Sequence, residues 1–250
     1  MLITKSQVKY IQSLAHKKFR DAEGVFVVEG PKVTLELLTN GALRPRQVYA
    51  EKEWIGALPP ELVKWLKTGL LVEVGPAELE RLSALSTPNQ VVAIFEKPSF
   101  PPPEWTAGVH LVLDTLQDPG NLGTIVRLAD WFGISAVVAG PESADVYNAK
   151  AVQSTMGSIG RVQVLYEDPV ALLRSVQLPV YAAVLEGEGL YGLPRIRQGF
   201  IVIGNEARGI GPVLLELATR RITIPRIGQA ESLNAAVATG IILSHLVALP

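Results

Sequence analysis

Cysteine is absent from the 250 residues, which removes disulfides, Cys-ligated zinc, iron–sulfur clusters and every thiolate nucleophile. A methylase that attacks a pyrimidine through cysteine is thereby excluded. Histidine is scarce: His16, His110 and His245 stand far apart and suggest no metal site. An excess of one charge sign is also missing. With 23 basic against 24 acidic residues the net charge is −1, unlike the strongly basic chains that nucleic-acid binding often produces. No uninterrupted apolar segment qualifies as a signal peptide or membrane span. The N-terminus alternates lysine with apolar residues, and Asn234, Ser244 and His245 interrupt the apolar stretch Ser232 to Leu249, which is expected to be a buried helix. A cytoplasmic protein is the expectation. What is present, 48% hydrophobic and 19% charged residues with 22 Gly and 18 Pro, is the composition of a soluble globular chain.

Acids are also missing locally. Lys5, Lys9, Lys17, Lys18 and Arg20 all precede the first acidic residue, Asp21. That asymmetry points to a polyanion near the N-terminus, with a solvated helix face as the alternative.

Four prolines within Pro98–Pro103 forbid helix and disfavour a paired strand. A linker at 98–104 divides the chain into 1–97 and 105–250. The first part is expected to be a small α/β module. It has a helix from Ser6 to Lys18, a strand at Gly24–Glu29, a helix from Pro31 to Leu38, and strands at Gln47–Ala50, Leu71–Val74 and Val91–Phe95. In the second part, strands at His110–Asp114, Ala136–Ala139, Val162–Leu165, Val180–Leu185, Phe200–Gly204 and Arg221–Ile224 alternate mostly with helical stretches. Nearly continuous apolar strands of this kind belong to an open parallel sheet with helices on both faces. Ligands then bind at the carboxyl ends of the strands.

Gly187-Glu-Gly189-Leu-Tyr-Gly192 matches G-x-G-x-x-G after a strand, but Pro194 and Gly199 follow and leave no helix to receive a pyrophosphate. A nucleotide-dependent oxidoreductase is disfavoured on that ground, while a glycine loop beside another adenosine-containing ligand stays open. Three other strand ends are richer in polar groups and glycine than a bare connection needs. Asp118-Pro-Gly-Asn121-Leu-Gly123 leads into a helix carrying Arg127. Gly204-Asn205-Glu206-Ala-Arg208-Gly209 follows an apolar strand. Ile224-Pro225-Arg226 runs on to Glu231-Ser232-Leu233-Asn234 and Gly240, with Ser232 a candidate helix cap. Each has a structural alternative: Asn121 as a cap, Glu206 paired with Arg208, Asn234 bonded to its own backbone. Three such corners on one sheet point to a shared pocket.

These motifs, Asn-x-Gly-x-x-x-Arg, then Gly-Asn-Glu-x-x-Gly, then Ile-Pro and Ser-Leu-Asn-x-x-x-Ala-x-Gly, resemble those of the SpoU/TrmH family of RNA ribose 2′-O-methyltransferases in the SPOUT superfamily, over Leu113 to Ile242. Phe26-Val-Val-Glu29-Gly30 with its following helix is similar to the L30e-like RNA substrate-binding domain that often precedes that fold. The resemblance implies a deep trefoil knot at the C-terminal end of the sheet and S-adenosylmethionine as cofactor. It places the cofactor around Leu185, Glu186, Gly187, Gly204, Ile224 and Leu233. Arg127 matches the family's catalytic arginine, as base or as phosphate anchor, with Asn121, Glu206, Ser232 and Asn234 shaping the rest of the site. A homodimer through the knot is implied, for which Ala235, Ala236, Ala238 and Gly240 suit close packing. The family often carries methionine after Ile-Pro, where Arg226 stands here. The expected substrate is ribosomal RNA, bound partly by Lys5, Lys9, Lys17, Lys18 and Arg20. Transfer RNA, or a non-catalytic RNA-binding role on the same fold, is the alternative, and no metal or membrane is expected.

Overall fold

The first helix, α1 (Lys5–Ser13), begins at a reciprocal cap: Thr4 Oγ1 accepts from the Gln7 amide at 3.2 Å, and Gln7 Oε1 accepts from the Thr4 amide at 2.9 Å. The single helix expected over Ser6–Lys18 is broken, because the chain turns at Leu14–His16 before α2 (Lys17–Glu23). Arg20 explains the break. Its Nη1 donates to the carbonyls of Leu14 and Ala15, both at 2.7 Å, which satisfies groups that a helix end leaves unpaired. The computed structural model describes residues 3–41, 43–85 and 87–248; Leu249, the expected end of the last helix, lies outside them.

Next come β1 (Val25–Glu29), α3 (Pro31–Thr39), β2 (Pro45–Ala50), α4 (Lys52–Ala57), α5 (Pro60–Leu66), β3 (Leu71–Glu73), α6 (Pro76–Leu82) and β4 (Val91–Glu96). The strands form a four-stranded sheet of order β1-β4-β2-β3, antiparallel at β1/β4 and β4/β2 and parallel at β2/β3. Its core joins Val25, Tyr49, Val92 and Ile94 to Val8, Ile11 and Leu14 of the opening segment and to Leu79 and Leu82 of α6. Residues 97–104 hold no regular structure.

The remaining elements are β5 (Val109–Leu113), α7 (Pro119–Trp131), β6 (Ala136–Ala139), α8 (Ala149–Thr155), β7 (Gln163–Tyr166), α9 (Pro169–Ser175), β8 (Val180–Gly189), β9 (Gly199–Ile203), α10 (Pro212–Leu217), β10 (Arg220–Thr223) and α11 (Ala235–Leu246). All six strands pair in parallel, in the order β10-β8-β9-β5-β6-β7. On one face Val112, Val138, Ala182, Phe200 and Val202 pack with Leu172, Leu173 and Leu214 from α9 and α10. The alternate residues Leu111, Leu113, Val137, Ile201 and Ile203 are buried as well. Both faces are therefore covered, the condition under which parallel strands read as continuous apolar runs.

Contacts group the chain into two units: Met1–Ser99 with Tyr147–Gly160, and Phe100–Val146 with Arg161–Pro250. The segment 147–160, assigned from sequence to 105–250, packs in the first unit, where the Tyr147 ring lies 5.1 Å from Phe26. One irregularity shapes the second unit. Strand β10 pairs Arg221 with Ala182 and then Ile222 with Glu188, so 183–187 bulges out of the ladder. Gly187 permits this, since a methyl there would stand 2.6 Å from the Arg221 carbonyl oxygen.

Candidate active site

The sheet order changes direction between β5 and β9, and the three polar corners sit at carboxyl ends of strands in this second unit, as the open-sheet rule expects. After β5, Thr115 takes φ +56°, and its carbonyl accepts from Asn205 Nδ2 at 2.7 Å. Asp114 Oδ2 accepts from the Gly211 amide at 2.6 Å. These two bonds pin the Gly204–Gly211 corner to the end of β5. Asn205 and Gly209 exchange backbone hydrogen bonds at 2.9 and 3.0 Å, and a methyl on Gly204 would stand 2.5 Å from the Gly209 carbonyl carbon. Only glycine fits so tight a turn.

A chain of side-chain amides crosses the site. Asn234 Nδ2 donates to Asn121 Oδ1 at 2.9 Å, and Asn121 Nδ2 donates to Glu206 Oε1 at 3.1 Å. The Glu206 carboxylate also accepts from the amides of Gln117 at 3.4 Å and Asp118 at 3.3 Å. Three corners far apart in sequence are thus joined through complementary donors and acceptors. Asp118 caps α7 by accepting from the Asn121 amide at 2.8 Å. Asn234 caps α11, its Oδ1 accepting from Ala236 at 2.9 Å and Val237 at 3.2 Å. The expectation that Ser232 caps the last helix is corrected: the helix starts at Ala235, which puts Asn234 at the capping position.

Beside this chain lies a cavity of about 580 Å³. Leu185, Gly204, Ile224 and Leu233 line it, together with Glu206, Ser232 and the bulge residues Ala183 and Val184. Glu186 and Gly187 are not among its lining residues. Thr223 Oγ1 donates to the Leu185 carbonyl at 3.0 Å and holds the bulge against β10. A glycine-floored, largely apolar cavity edged by backbone fits a sulfonium cofactor bound through main-chain groups. Within the G-x-G-x-x-G, Leu190–Gly192 form one 3₁₀ turn, and no α-helix intervenes before β9, as the proline and glycine spacing predicted.

Arg127 does not line the cavity. It stands exposed on α7, with no hydrogen bond or ion pair among the described residues. Asn121, Thr124, Leu128, Asn234, Ala236, Val237, Gly240, Ile241 and Ser244 edge a separate open groove of about 450 Å³ between α7 and α11. Among the described residues, no three potential metal ligands gather.

In the first unit, Lys5, Lys9, Lys17 and Lys18 are exposed. Lys17 Nζ bonds Asp21 at 2.6 Å and Lys97 Nζ bonds its other oxygen at 2.5 Å. Hydrogen bonds from Lys17 and then Lys97 hold the Asp21 carboxyl below its ordinary range. Arg20 departs from the expected RNA-facing set: it is 4% exposed and turned onto the end of α1. Sequence reasoning missed Asp114, Asn205 and Thr223 as organisers of the site. Asp114 directly follows β5 and Thr223 ends β10, each next to a corner, and Asn205 lies inside one, which is the signal that could have found them.

The SpoU rRNA methylase family matches residues 108–244, and an MRM3-like substrate binding domain matches residues 5–93. The chain belongs to the SpoU rRNA methylase family. A 23S rRNA (guanosine(2553)-2′-O)-methyltransferase of Bacillus subtilis is 32% identical over 244 residues, covering 96% of this chain and 95% of the relative. A solved TrmH-family structure from Porphyromonas gingivalis is 38% identical with TM-score 0.83, covering 99% of both chains. An AdoMet-bound rRNA methyltransferase from Sinorhizobium meliloti is 28% identical with TM-score 0.83, covering 97% of this chain and 94% of that one. As a SpoU-family chain, the molecule has its three polar corners inside the matched region.

Proposed function

We propose that this SpoU-family enzyme methylates a ribose 2′-hydroxyl of ribosomal RNA, using S-adenosylmethionine held in the 580 Å³ cavity. The observation that carries the reading is the Asn234–Asn121–Glu206 chain beside that glycine-floored cavity. The cofactor brings a methyl already activated on a sulfonium, so the chain's task is alignment and charge placement. Leu185, Gly204, Ile224 and Leu233 hold the cofactor from the cavity wall, with Glu186 and Gly187 setting the bulge. Glu206, fixed by Asn121 and two amides, and Ser232 and Asn234 orient the ribose. A guanidinium stays protonated, so exposed Arg127 anchors the phosphate of the target nucleotide. Ribosomal RNA is favoured by the named relatives in Bacillus subtilis and Sinorhizobium meliloti. A cytoplasmic location belongs to this reading, in keeping with the Bacillus subtilis relative; no helix among the described residues is long and apolar enough to cross a membrane.

The finer expectations stand as part of the proposal. The substrate-binding match over 5–93 supports an L30e-like RNA-capture domain over 1–97, a linker at 98–104 and a methyltransferase domain over 105–250. Lys5 and Lys9 have no ion pair among the described residues, Lys18 Nζ lies 4.8 Å from the Phe19 ring centroid, and Lys17 is shared with Asp21. Family membership and the bulge at 183–187 between the pairings of β10 support a trefoil knot. The α7–α11 groove, with small Ala236 and Gly240 beside Val237 and Ile241, supports a homodimer. Transfer of labelled methyl to ribosomal RNA lacking the modification, followed by mapping, tests the activity. No label on ribosomal RNA, with label on transfer RNA or on none, overturns the substrate reading.

A further inference from the structure

Arg208 and Arg226 come from different corners, after β9 and after β10, and both line the cavity. Both are exposed. The Arg208 side chain has no hydrogen bond or ion pair among the described residues. Arg226 Nη1 donates to the Ala230 carbonyl at 3.0 Å, which fastens one edge of the guanidinium to its own loop and leaves the rest of its fork open. The acids along the cavity do not absorb this charge evenly. Glu206 is committed to Asn121, Gln117 and Asp118, and only Glu231 remains.

S-adenosylmethionine carries a sulfonium and an ammonium against one carboxylate, a net charge of about +1 at neutral pH. Two guanidiniums at its cavity therefore gain at most one carboxylate and otherwise oppose it. Their charge suits the polyanion that must approach the same opening. A planar guanidinium engages phosphate oxygens bidentately, and Arg226 occupies the place where the family often has an uncharged methionine. Resting on the RNA methyltransfer reading above, we propose that Arg208 and Arg226 clamp the RNA backbone phosphates flanking the target ribose, as substrate-positioning groups separate from Arg127.

The test uses full-length protein with Arg208→Gln, Arg226→Met and Arg226→Lys, and with Arg174→Gln, an exposed arginine of α9 away from the cavity, as control. Three quantities are measured: cofactor affinity by calorimetry, affinity for unmodified ribosomal RNA across a salt series, and the kinetics of methyl transfer. Arg208→Gln and Arg226→Met should each raise KM for RNA roughly ten- to hundred-fold, with kcat and cofactor affinity little changed. Each should flatten the slope of log affinity against log salt by about 0.7 to 0.9, while Arg226→Lys and Arg174→Gln keep it. An unmoved slope in active protein overturns the clamp alone. Loss of cofactor affinity at Arg226→Met with the RNA slope intact also overturns it and makes the arginine a loop fastener. Wild-type protein that transfers no methyl to any RNA overturns the parent reading as well.

Discussion

Glu29 and Glu206 each follow or close a strand, and each gathers hydrogen bonds on its carboxylate, yet the two units use them oppositely. Glu29, at the end of β1, is 8% exposed; the Ser83 hydroxyl donates to one oxygen and the Ala84 amide to the other at 2.9 Å. Its partners fasten the partly exposed turn at Ser83–Ala84 onto a buried carboxylate. Glu206 is exposed and lines the cavity, and its partners run through Asn121 to Asn234, both on the groove between α7 and α11. Satisfied hydrogen bonds therefore do not by themselves mark a functional carboxylate. Convergence of several strand-end corners on open space does.

The strongest challenge to that contrast is Arg127→Ala. It should lower kcat about 10²- to 10³-fold while calorimetry shows cofactor affinity unchanged; an equal loss of cofactor affinity would move Arg127 into the cavity. Next, Gly204→Ala should weaken cofactor binding and cost about 1–3 kcal/mol of stability, because its methyl meets the Gly209 backbone. Gly192→Ala meets nothing within 4 Å and should leave calorimetric affinity and thermal midpoint unmoved.

The two glutamates can be compared directly. Glu29→Gln should destabilise by about 1–3 kcal/mol and spare the kinetics of the remaining folded protein, whereas Glu206→Gln should lower kcat with a smaller loss of stability. Denaturant melts paired with kinetics decide this, and equal behaviour of the two variants would dissolve the comparison. The smallest effect belongs to His110, a buried ring 4.9 Å from Trp105 and 5.0 Å from Phe200. Burial lowers its pKa, partly opposed by the hydrogen bond to the Ala107 carbonyl. The unfolded chain then takes up the proton first, so this contribution is intact above about pH 6.5 and is lost as pH falls from there toward the lowered folded value. His110→Phe should flatten the decline of the thermal midpoint between pH 7.5 and 5.5.

Much of this was legible in the residues. Leu111–Leu113 and Phe200–Ile203 read as buried parallel strands because both faces are covered; a helix after Asp118 was also legible, though it starts at Pro119, where no amide donor is needed, and is capped by Asp118 and not by Asn121. The corners stood out by their glycines and amides. Less was legible where one side chain acts across a turn or a long sequence gap. Arg20 sits in a run of cations, and nothing local shows that its guanidinium will fold back on Leu14 and Ala15. The ejection of 183–187 depends on the pairing of β10, far along the chain. Nothing in the composition of 147–160 distinguishes a segment that completes the first unit.

That segment bears on how the protein is made. The chain passes between its two units three times, near residues 99, 146 and 160. A ribosome releasing it from the N-terminus delivers β1 to β4 early, but the Tyr147 ring that packs on Phe26 emerges only after β5, α7 and β6. The first unit therefore cannot finish folding until 147–160 has emerged, by which time the opening elements of the second unit are already made. A protease cut within 98–104 would likewise leave the N-terminal fragment dependent on 147–160, a stretch of its own unit that stays covalently in the C-terminal fragment.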